Sequence, residues 1–144
     1  MNIRERRVGD LDAVRALLEA SGLPFNGIER TRGWVAEESG QIISHIALEE
    51  AEGALVLRSL ATARAAQGRG IARDLMDLAE AHAGDRTILL RTKTVGPWVL
   101  RRGYSSIGSD QVPESARSTP EFEGSMCSGY PIYMKRMVSR LTDE

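Results

Sequence analysis

Apolar and polar positions in the first half of the chain alternate in three stretches that are separated by turn-forming residues. The first break is Ser39-Gly40 and the second is Ala51-Glu52-Gly53, and both have the composition of tight turns. The pattern predicts a hairpin of residues 34–38 and 41–50, followed by a further strand over residues 54–62. Three antiparallel strands are therefore expected to follow one another.

Apolar residues spaced three and four apart predict two amphipathic helices. The first opens at Gly9-Asp10, with Asp10 as its N-cap, and ends before Gly22, which suits the C′ position. Both helices should pack one side against a sheet. The second begins at Gly70, and its predicted core face consists of Ile71, Ala72, Leu75, Met76, Leu78 and Ala79.

The remaining segments add strands at both ends of the chain. Residues 1–8 predict an edge strand, and residues 87–90 form a short apolar run typical of a strand that pairs in parallel across a helix crossover. Residues 95–102 predict a short helix, with Pro97 in its first turn. Strands are then predicted over residues 104–108 and 130–137, on either side of a long insertion. The whole pattern predicts an α/β (α+β) protein.

A Gly-rich turn precedes the second helix. Gln67-Gly68-Arg69-Gly70-Ile71-Ala72 reads Q-x-x-G-x-A, and the first amides of a helix, together with its dipole, form an anion site. The two glycines free the backbone and remove Cβ atoms that would hold a phosphate away, while Arg69 adds a charged donor. We therefore expect a bound phosphate group, with an ordinary strand-to-helix connection as the alternative.

Two other phosphate-binding motifs do not match this segment. A Walker-type loop needs Gly-Lys-Ser/Thr, and no lysine or hydroxyl follows Gly70. A dinucleotide fingerprint needs a small residue where Arg73 stands, and an acidic residue about 20 positions further on, where the chain reads Ile88-Leu89-Leu90-Arg91. The loop therefore indicates neither a P-loop nor a Rossmann protein.

Arg58-Ser59-Leu60-Ala61-Thr62 followed by Gln67–Ala72 resembles the acetyl-CoA-binding motif of the GNAT N-acetyltransferase superfamily, a V/L-x-V strand end before Q/R-x-x-G-x-G/A at a helix start. The resemblance implies acetyl-CoA as co-substrate. It implies that Leu60, Ala61 and Thr62 offer backbone groups to the pantetheine arm. The pyrophosphate would then be wrapped by Gln67, Gly68, Arg69, Gly70, Ile71 and Ala72.

The segment from Trp98 to Tyr104, WVLRRGY, is similar to the GNAT segment F-Y-x-K-L-G-F, and the resemblance makes Trp98 a cofactor-binding candidate. The tyrosine that often protonates the departing thiolate in this family falls on Val99, and valine cannot do so. Tyr104, Tyr133, Thr94 or water would have to supply the proton. This departure keeps open a second function, a non-catalytic or regulatory CoA-binding GNAT-like domain.

The resemblance covers nearly the whole chain and implies the GNAT fold. That fold is a mixed central sheet of about six to seven strands, with a splay between strands 4 and 5, flanked by about four helices. Thr92-Lys93-Thr94 and the insertion at 109–129 look like small GNATs of the arsenic-resistance type and like short amino-acid N-acetyltransferases of the acetylglutamate-synthase kind. The implied acceptor is the amine of a small molecule, an amino acid or an amino acid-like toxic compound. A protein N-terminus or lysine side chain is a further acceptor class.

Acetyl transfer from a thioester to an amine needs a neutral nucleophile, a donor at the carbonyl oxygen and a proton source for the thiolate. In the GNAT pattern, a strand N–H near Leu60 or Ala61 is left to meet the thioester oxygen. Family placement makes Glu49 the candidate base, with Glu50 and His45 behind it. The alternatives are solvated hairpin charges for the two glutamates and simple packing for the histidine.

Family placement also assigns the segment after the first helix to the acceptor side. Phe25 and Asn26 are the substrate-contact candidates there, together with His45. Arg58 alternates with Leu60 along one strand, so we expect their side chains to share a face. On a cleft-lining face, Arg58 would hold the carboxylate of an amino-acid acceptor. A buried arginine with an internal acidic partner is the alternative.

The composition of the chain limits the classes of partner that we expect it to bind. The chain has 144 residues, 42% of them hydrophobic and 27% charged, which fits one domain over residues 1–144. Its 19 basic and 20 acidic side chains nearly cancel, which argues against nucleic acid and anionic membrane as partners. Cys127 is the single cysteine and no metal-ligand spacing stands out, so we expect no disulfide and no metal. A charged N-terminus without a signal-peptide core predicts a cytoplasmic protein, with a homodimer left open.

Overall fold

The computed structural model describes residues 1–123 and 129–137. Seven strands lie in these residues: β1 (Asn2–Glu5), β2 (Arg32–Glu38), β3 (Gln41–Ala51), β4 (Ala54–Thr62), β5 (Thr87–Arg91), β6 (Ser105–Ile107) and β7 (Ile132–Arg136). Their hydrogen-bonded order is β1-β2-β3-β4-β5-β7-β6. The β4–β5 pair is parallel, and β1–β2, β2–β3, β5–β7 and β6–β7 are antiparallel. The sheet is therefore mixed, as predicted.

The same residues contain five α-helices, two of them longer than two turns. They are α1 (Leu11–Ala20), α2 (Ile71–Ala83), α3 (Gly96–Arg101), α4 (Glu114–Arg117) and α5 (Pro120–Glu123). Across residues 1–123 and 129–137, no helix combines the length and the apolar character needed to cross a membrane. Both α4 and α5 lie in the predicted insertion, which therefore carries helical structure.

The turns at the ends of the first elements follow from their residues. Ser39 and Gly40 have φ of 52° and 76°, the left-handed pair that a two-residue hairpin loop needs. Gly22 has φ of 71° and follows Ser21, the C-cap of α1, in keeping with its predicted C′ position. The Asp10 carboxylate does not cap α1; it accepts hydrogen bonds from Arg4, which lower the pKa of Asp10 to about 2.

The described chain divides into two compact units, and residues 1–48 with 59–82 form the first. Its core lies where α1 packs on the sheet, and Leu11, Leu23, Ile42 and Ala63 add partly buried contacts. Trp34 is buried and its ring lies 5.4 Å from that of His82 in α2. The buried side chains of this core are Val14, Leu17, Leu18, Ile28, Val35, Ala47 and Ala61.

The second unit contains residues 49–58 and the described residues from 83 onward. The short helix α4 contributes Ala116 to its core, and Val112 precedes that helix. The insertion therefore supplies part of the core rather than a surface loop. The core residues of this unit are Ala54, Val56, Leu89, Val112, Ala116 and Ile132.

The parallel strands β4 and β5 pair only at their first residues. The partners are Ala54 with Thr87, Leu55 with Ile88 and Val56 with Leu89, whereas β4 continues to Thr62 and β5 to Arg91. Ser59 has φ of 58°, a left-handed conformation that is uncommon for a residue inside a strand. In the described residues the β4–β5 ladder thus stops after Val56, which confirms the predicted splay between strands 4 and 5.

The sequence pattern placed most elements within one to three residues of their observed bounds. Leu78 was assigned to the core face of α2, and this was wrong, because its side chain is 38% exposed. Its neighbours Leu75 and Ala79 cover the core without it. Cys127 lies outside the described residues. The prediction of one domain over residues 1–144 stays a prediction.

Candidate active site

The Gly-rich turn and the first two residues of α2, here called the phosphate loop (residues 67–72), contain two positions whose backbone only glycine adopts without strain. Gly68 and Gly70 both have φ of 79°. The first hydrogen bond of α2 runs from the Asp74 amide to the Gly70 carbonyl, at 3.2 Å. The amides of Ile71, Ala72 and Arg73 precede that bond, so helix geometry gives them no partner within the helix. The loop therefore presents main-chain donors at the positive end of a helix dipole.

Arg69 in the phosphate loop is held by an acidic side chain. Its Nη1 and Nη2 donate to the two carboxylate oxygens of Glu38, at 3.1 and 2.7 Å. These hydrogen bonds lower the pKa of Glu38 and raise the pKa of Arg69. Both side chains are exposed, so a phosphate group can compete with Glu38 for the guanidinium.

A second guanidinium lies against the loop, and the sequence pattern missed it. A Cβ placed on Gly70 would lie 2.9 Å from Nη2 of Arg73. The apolar spacing of α2 leaves Arg73 outside the predicted core face and gives it no role at the loop. The spacing of three residues, one helical turn after Gly70, is the signal that would have found it.

The end of β4 is tied to the phosphate loop. Gln67 Nε2 donates to the Thr62 carbonyl at 3.3 Å, and the hydroxyls of Thr62 and Ser44 lie 2.8 Å apart. Ser44 Oγ also donates to the Ala61 carbonyl at 2.9 Å. The structure thus brings Ala61, Thr62 and Gln67 together, three of the residues that the resemblance assigns to the coenzyme.

His45 is fully buried on β3 and contacts the left-handed residue of β4. Its Nδ1 lies 2.9 Å from the Ser59 carbonyl and its Nε2 lies 2.9 Å from Nη1 of Arg6. Because Ser59 interrupts the regular strand, simple alternation no longer fixes the direction of Arg58 relative to Leu60. The contacts of His45 favour a positioning role over that of a base or a substrate contact.

Arg58 sits in what we call the ionic cluster, made of Glu49, Arg58, Arg91 and Glu121. The Arg58 side chain is 0% exposed, and its Nη1 donates to Oε1 of Glu49 at 3.2 Å. Its Nε lies 4.0 Å from Oε2 of Glu121, and the two glutamates are only 13% and 7% exposed. The structure therefore brings together the candidate base Glu49 and the candidate carboxylate binder Arg58 as an internal ion pair.

Glu121 is the member of the ionic cluster that sequence reasoning did not find. Burial raises the pKa of Glu121 and the charge of Glu49 adds to this, while Arg58 and Arg91 oppose it. The Arg91 guanidinium lies 5.1 Å from the ring centre of Phe122, the next residue of α5. The available signal was Arg58 itself, because a buried guanidinium requires acidic partners.

The segment that matches the GNAT tyrosine helix is α3. Val99, at the tyrosine position, is buried. The guanidinium carbon of Arg102 lies 5.5 Å from the ring centre of Trp98. The Tyr133 hydroxyl of β7 occupies the space where a Cβ on Gly96 would stand. A phenol therefore lies against the first residue of the helix that lacks the expected tyrosine.

The remaining candidates are on the surface. Phe25 and Asn26 are exposed in the turn that follows α1, and the Phe25 carbonyl accepts a hydrogen bond from the Ile28 amide at 3.1 Å. That turn leaves both side chains accessible to a ligand. In the part of the chain that the structure describes, histidine, cysteine and acidic residues form no group of three that could hold a metal ion.

Solved structures share this architecture, and some of them contain coenzyme A. N-acetylglutamate synthase from Neisseria gonorrhoeae, solved with coenzyme A and N-acetyl-glutamate, has a TM-score of 0.75 and 21% identity, over 95% of this chain and 35% of that one. Rv2747 from Mycobacterium tuberculosis, solved with CoA, has a TM-score of 0.76 and 20% identity, and the match covers 96% of this chain and 100% of that one. A GNAT-family acetyltransferase from Staphylococcus aureus has a TM-score of 0.73 and 13% identity, and the match covers 94% of this chain and 98% of that one. These TM-scores show that the fold is shared.

This chain spans about a third of the length of the gonococcal synthase. No curated protein sequence matches it. The family model described as an acetyltransferase (GNAT) domain matches residues 25–120, which are 96 of the 144 residues. This segment includes the phosphate loop, both central parallel strands and α3. The chain belongs to the GNAT acetyltransferase family, whose members are acyltransferases that use acetyl-CoA.

Proposed function

We propose that this chain transfers the acetyl group of acetyl-CoA to the amine of a small molecule, an amino acid or an amino acid-like toxic compound. The observation that carries the proposal is the phosphate loop, where two left-handed glycines come directly before the first amides of α2. Family membership supports the acetyl-CoA donor. Acetyl-CoA and small amines meet in the cytoplasm, which is the location we propose.

The coenzyme would bind through its pyrophosphate. The amides at the start of α2 supply hydrogen bonds aligned with the helix dipole, and Arg69 and Arg73 supply positive charge. Backbone groups of Leu60 to Thr62 would hold the pantetheine arm, and Trp98 is assigned to cofactor binding on the family resemblance. When bound, acetyl-CoA supplies the activated acyl group, and the chain positions it.

The chain's own groups would then serve the transfer. The acceptor ammonium first loses one proton, and the neutral amine then forms a C–N bond to the thioester carbon. The nitrogen releases a second proton, the C–S bond breaks, and the departing thiolate takes up a proton. We assign the Leu60 N–H to the carbonyl oxygen and Glu49 to the proton of the acceptor ammonium. Tyr133 is our candidate proton source, because its hydroxyl lies against Gly96 in the helix where Val99 replaces the tyrosine.

The ionic cluster supports an acceptor that carries both an amine and a carboxylate. Glu49 and Glu121 suit an ammonium, and Arg91 suits a carboxylate. Arg58 has no exposed surface, so it would bind the carboxylate only after its ion pair with Glu49 opens. The gonococcal synthase was solved with N-acetyl-glutamate, which favours a similar acceptor class here. Phe25 and Asn26 would add contacts from the surface.

Binding and turnover test the proposal separately. Isothermal titration with acetyl-CoA should give a dissociation constant well below millimolar, and absence of binding at that concentration contradicts the proposal. A thiol-release assay over a panel of amines and amino acids should then identify the acceptor. Tight binding without release for any acceptor would support the non-catalytic CoA-binding domain, for which buried Val99 is the specific observation.

A further inference from the structure

The contacts of Arg6 fix the protonation pattern of His45. A guanidinium has only donors, so the His45 Nε2 atom 2.9 Å from Arg6 Nη1 must accept the hydrogen bond. The other ring nitrogen, Nδ1, lies 2.9 Å from the Ser59 carbonyl oxygen, which can only accept. His45 is therefore the neutral Nδ1–H tautomer and donates its single proton to Ser59.

The Arg6 side chain is anchored firmly enough to impose this pattern. Its Nη2 donates to the carbonyls of Ile28 and Thr31, at 3.0 and 2.6 Å, and its Nη1 also donates to the Thr31 hydroxyl at 3.2 Å. Gly33 provides the space, since a Cβ there would lie 2.5 Å from Arg6 Nη1 and 3.0 Å from His45 Nε2.

The Ser59 carbonyl shares its peptide group with the Leu60 N–H. No cis peptide bond occurs in the described residues, so this peptide is trans, and its C=O and N–H point in opposite directions. A carbonyl aimed at His45 therefore aims the Leu60 N–H away from His45. The left-handed φ of Ser59 makes this peptide orientation differ from that of an ordinary strand.

We infer that Arg6, His45 and the Ser59 peptide form a relay of hydrogen bonds that orients and polarises the Leu60 N–H as the donor to the thioester oxygen. The inference rests on the proposed function. Each member donates to the next in one direction, from Arg6 to His45 to the Ser59 carbonyl, and aligned hydrogen bonds polarise one another. His45 is thus a positioning residue, which acts through the Ser59 peptide and touches neither coenzyme nor acceptor.

The tautomer can be measured without any substrate. Nitrogen-15 NMR of the two imidazoles should show His45 with Nδ1 protonated and Nε2 unprotonated, and the variant His82→Gln assigns the signals. A His45 protonated at Nε2 instead would overturn the relay alone, whether or not the protein is an acetyltransferase.

Two variants of His45 separate positioning from packing. His45→Asn keeps an amide donor at the same distance from Cβ as Nδ1, and His45→Gln keeps an acceptor at the reach of Nε2 but loses the donor to Ser59. The relay predicts that kcat falls about 10- to 100-fold in the Gln variant and by less than about fivefold in the Asn variant. The KM for acetyl-CoA should stay unchanged in both.

A purely structural role for His45 predicts the opposite ranking of the two variants, with the larger loss of kcat in His45→Asn. Asn leaves a cavity in a fully buried site, whereas Gln nearly fills it, so packing alone would make Asn the worse variant. That order, or equal losses of kcat, would overturn the relay while acetyl-CoA binding and turnover of the unaltered protein still support the proposed function. Failure of the unaltered protein to bind acetyl-CoA would overturn the proposed function and the catalytic purpose of the relay with it.

Discussion

The phosphate loop and the ionic cluster are built in opposite ways. The loop is one continuous stretch of six residues whose main chain provides the donors, and its two polar side chains, Gln67 and Arg69, are exposed. The cluster joins side chains from β3, β4, β5 and α5, and Arg58 at its centre has no exposed surface. The first region therefore depends on backbone conformation, and the second depends on charge balance in a buried place.

This difference predicts how each region responds to substitution. A loop made of main-chain donors should lose ligand binding when its backbone changes, with little loss of stability. A buried cluster of opposite charges should lose stability when one charge is removed, because the remaining charges stay desolvated.

The largest expected effect is on stability, from Arg58→Met. Removing the guanidinium leaves Glu49 and Glu121 buried without their shared partner, so the free energy of unfolding should fall by about 3–5 kcal/mol in urea titrations. Arg86→Met is the matched control, since Arg86 pairs with Glu50 at 2.9 Å on the surface and should cost less than about 1 kcal/mol. Equal losses for the two variants would remove the distinction between the regions.

Gly70→Leu should act on binding instead. A side chain at φ of 79° strains the loop and pushes on the Arg73 guanidinium, so the affinity for acetyl-CoA should fall about 100-fold or more, the value of one or two charge-assisted hydrogen bonds. Gly84→Leu is the control, because Gly84 follows α2 with φ of 67° and open space around it. Titration calorimetry should find that the control binds normally, as should Val99→Ala. Similar losses of affinity in Gly84→Leu would point to general destabilisation.

The same contrast explains what could be predicted from the sequence. The left-handed backbone of the phosphate loop could be predicted because its residues are contiguous and glycine marks the left-handed positions. Glu121 was missed because only the folded chain brings α5 to Arg58, and no spacing in the sequence links them. The left-handed Ser59 was also missed, since a serine gives no signal of the kind that glycine gives.

The spacing of apolar residues does not predict burial reliably at the margin of the buried face of a helix. Leu78 fits the apolar spacing of α2 but lies at the margin of its buried face, where a rotation of the helix by a few degrees decides burial. The order of the central strands, by contrast, followed from turn residues and the crossover rule, which act locally. The fold was therefore more predictable than the side chains that meet in the cluster.

The pH dependence of stability should differ in sign between the carboxyl groups of Glu121, which is buried, and Asp10, which is partly exposed. Burial raises the pKa of Glu121 above its usual 4.5, so the folded protein holds that proton more tightly and its stability falls as pH rises through this range. Glu121→Gln should remove this decline.

Asp10, whose pKa is lowered to about 2, gives the opposite behaviour. Its contribution to stability is present above pH 3.8 and is lost as the pH falls toward about 2. Urea titrations across pH on Glu121→Gln and Asp10→Asn test both signs, and parallel profiles would contradict the assignment.

The smallest expected effect is a gain of affinity in the phosphate loop. Glu38 occupies both Nη atoms of Arg69, so a bound pyrophosphate must compete with it. Glu38→Gln removes that competitor and should tighten acetyl-CoA binding by about two- to fivefold, with a steeper dependence on salt concentration. Glu37→Gln is the control, since Glu37 pairs with Arg4 at 3.5 Å. An unchanged affinity in Glu38→Gln would mean that the main-chain amides alone carry the phosphate contact and that Arg69 contributes nothing measurable to it.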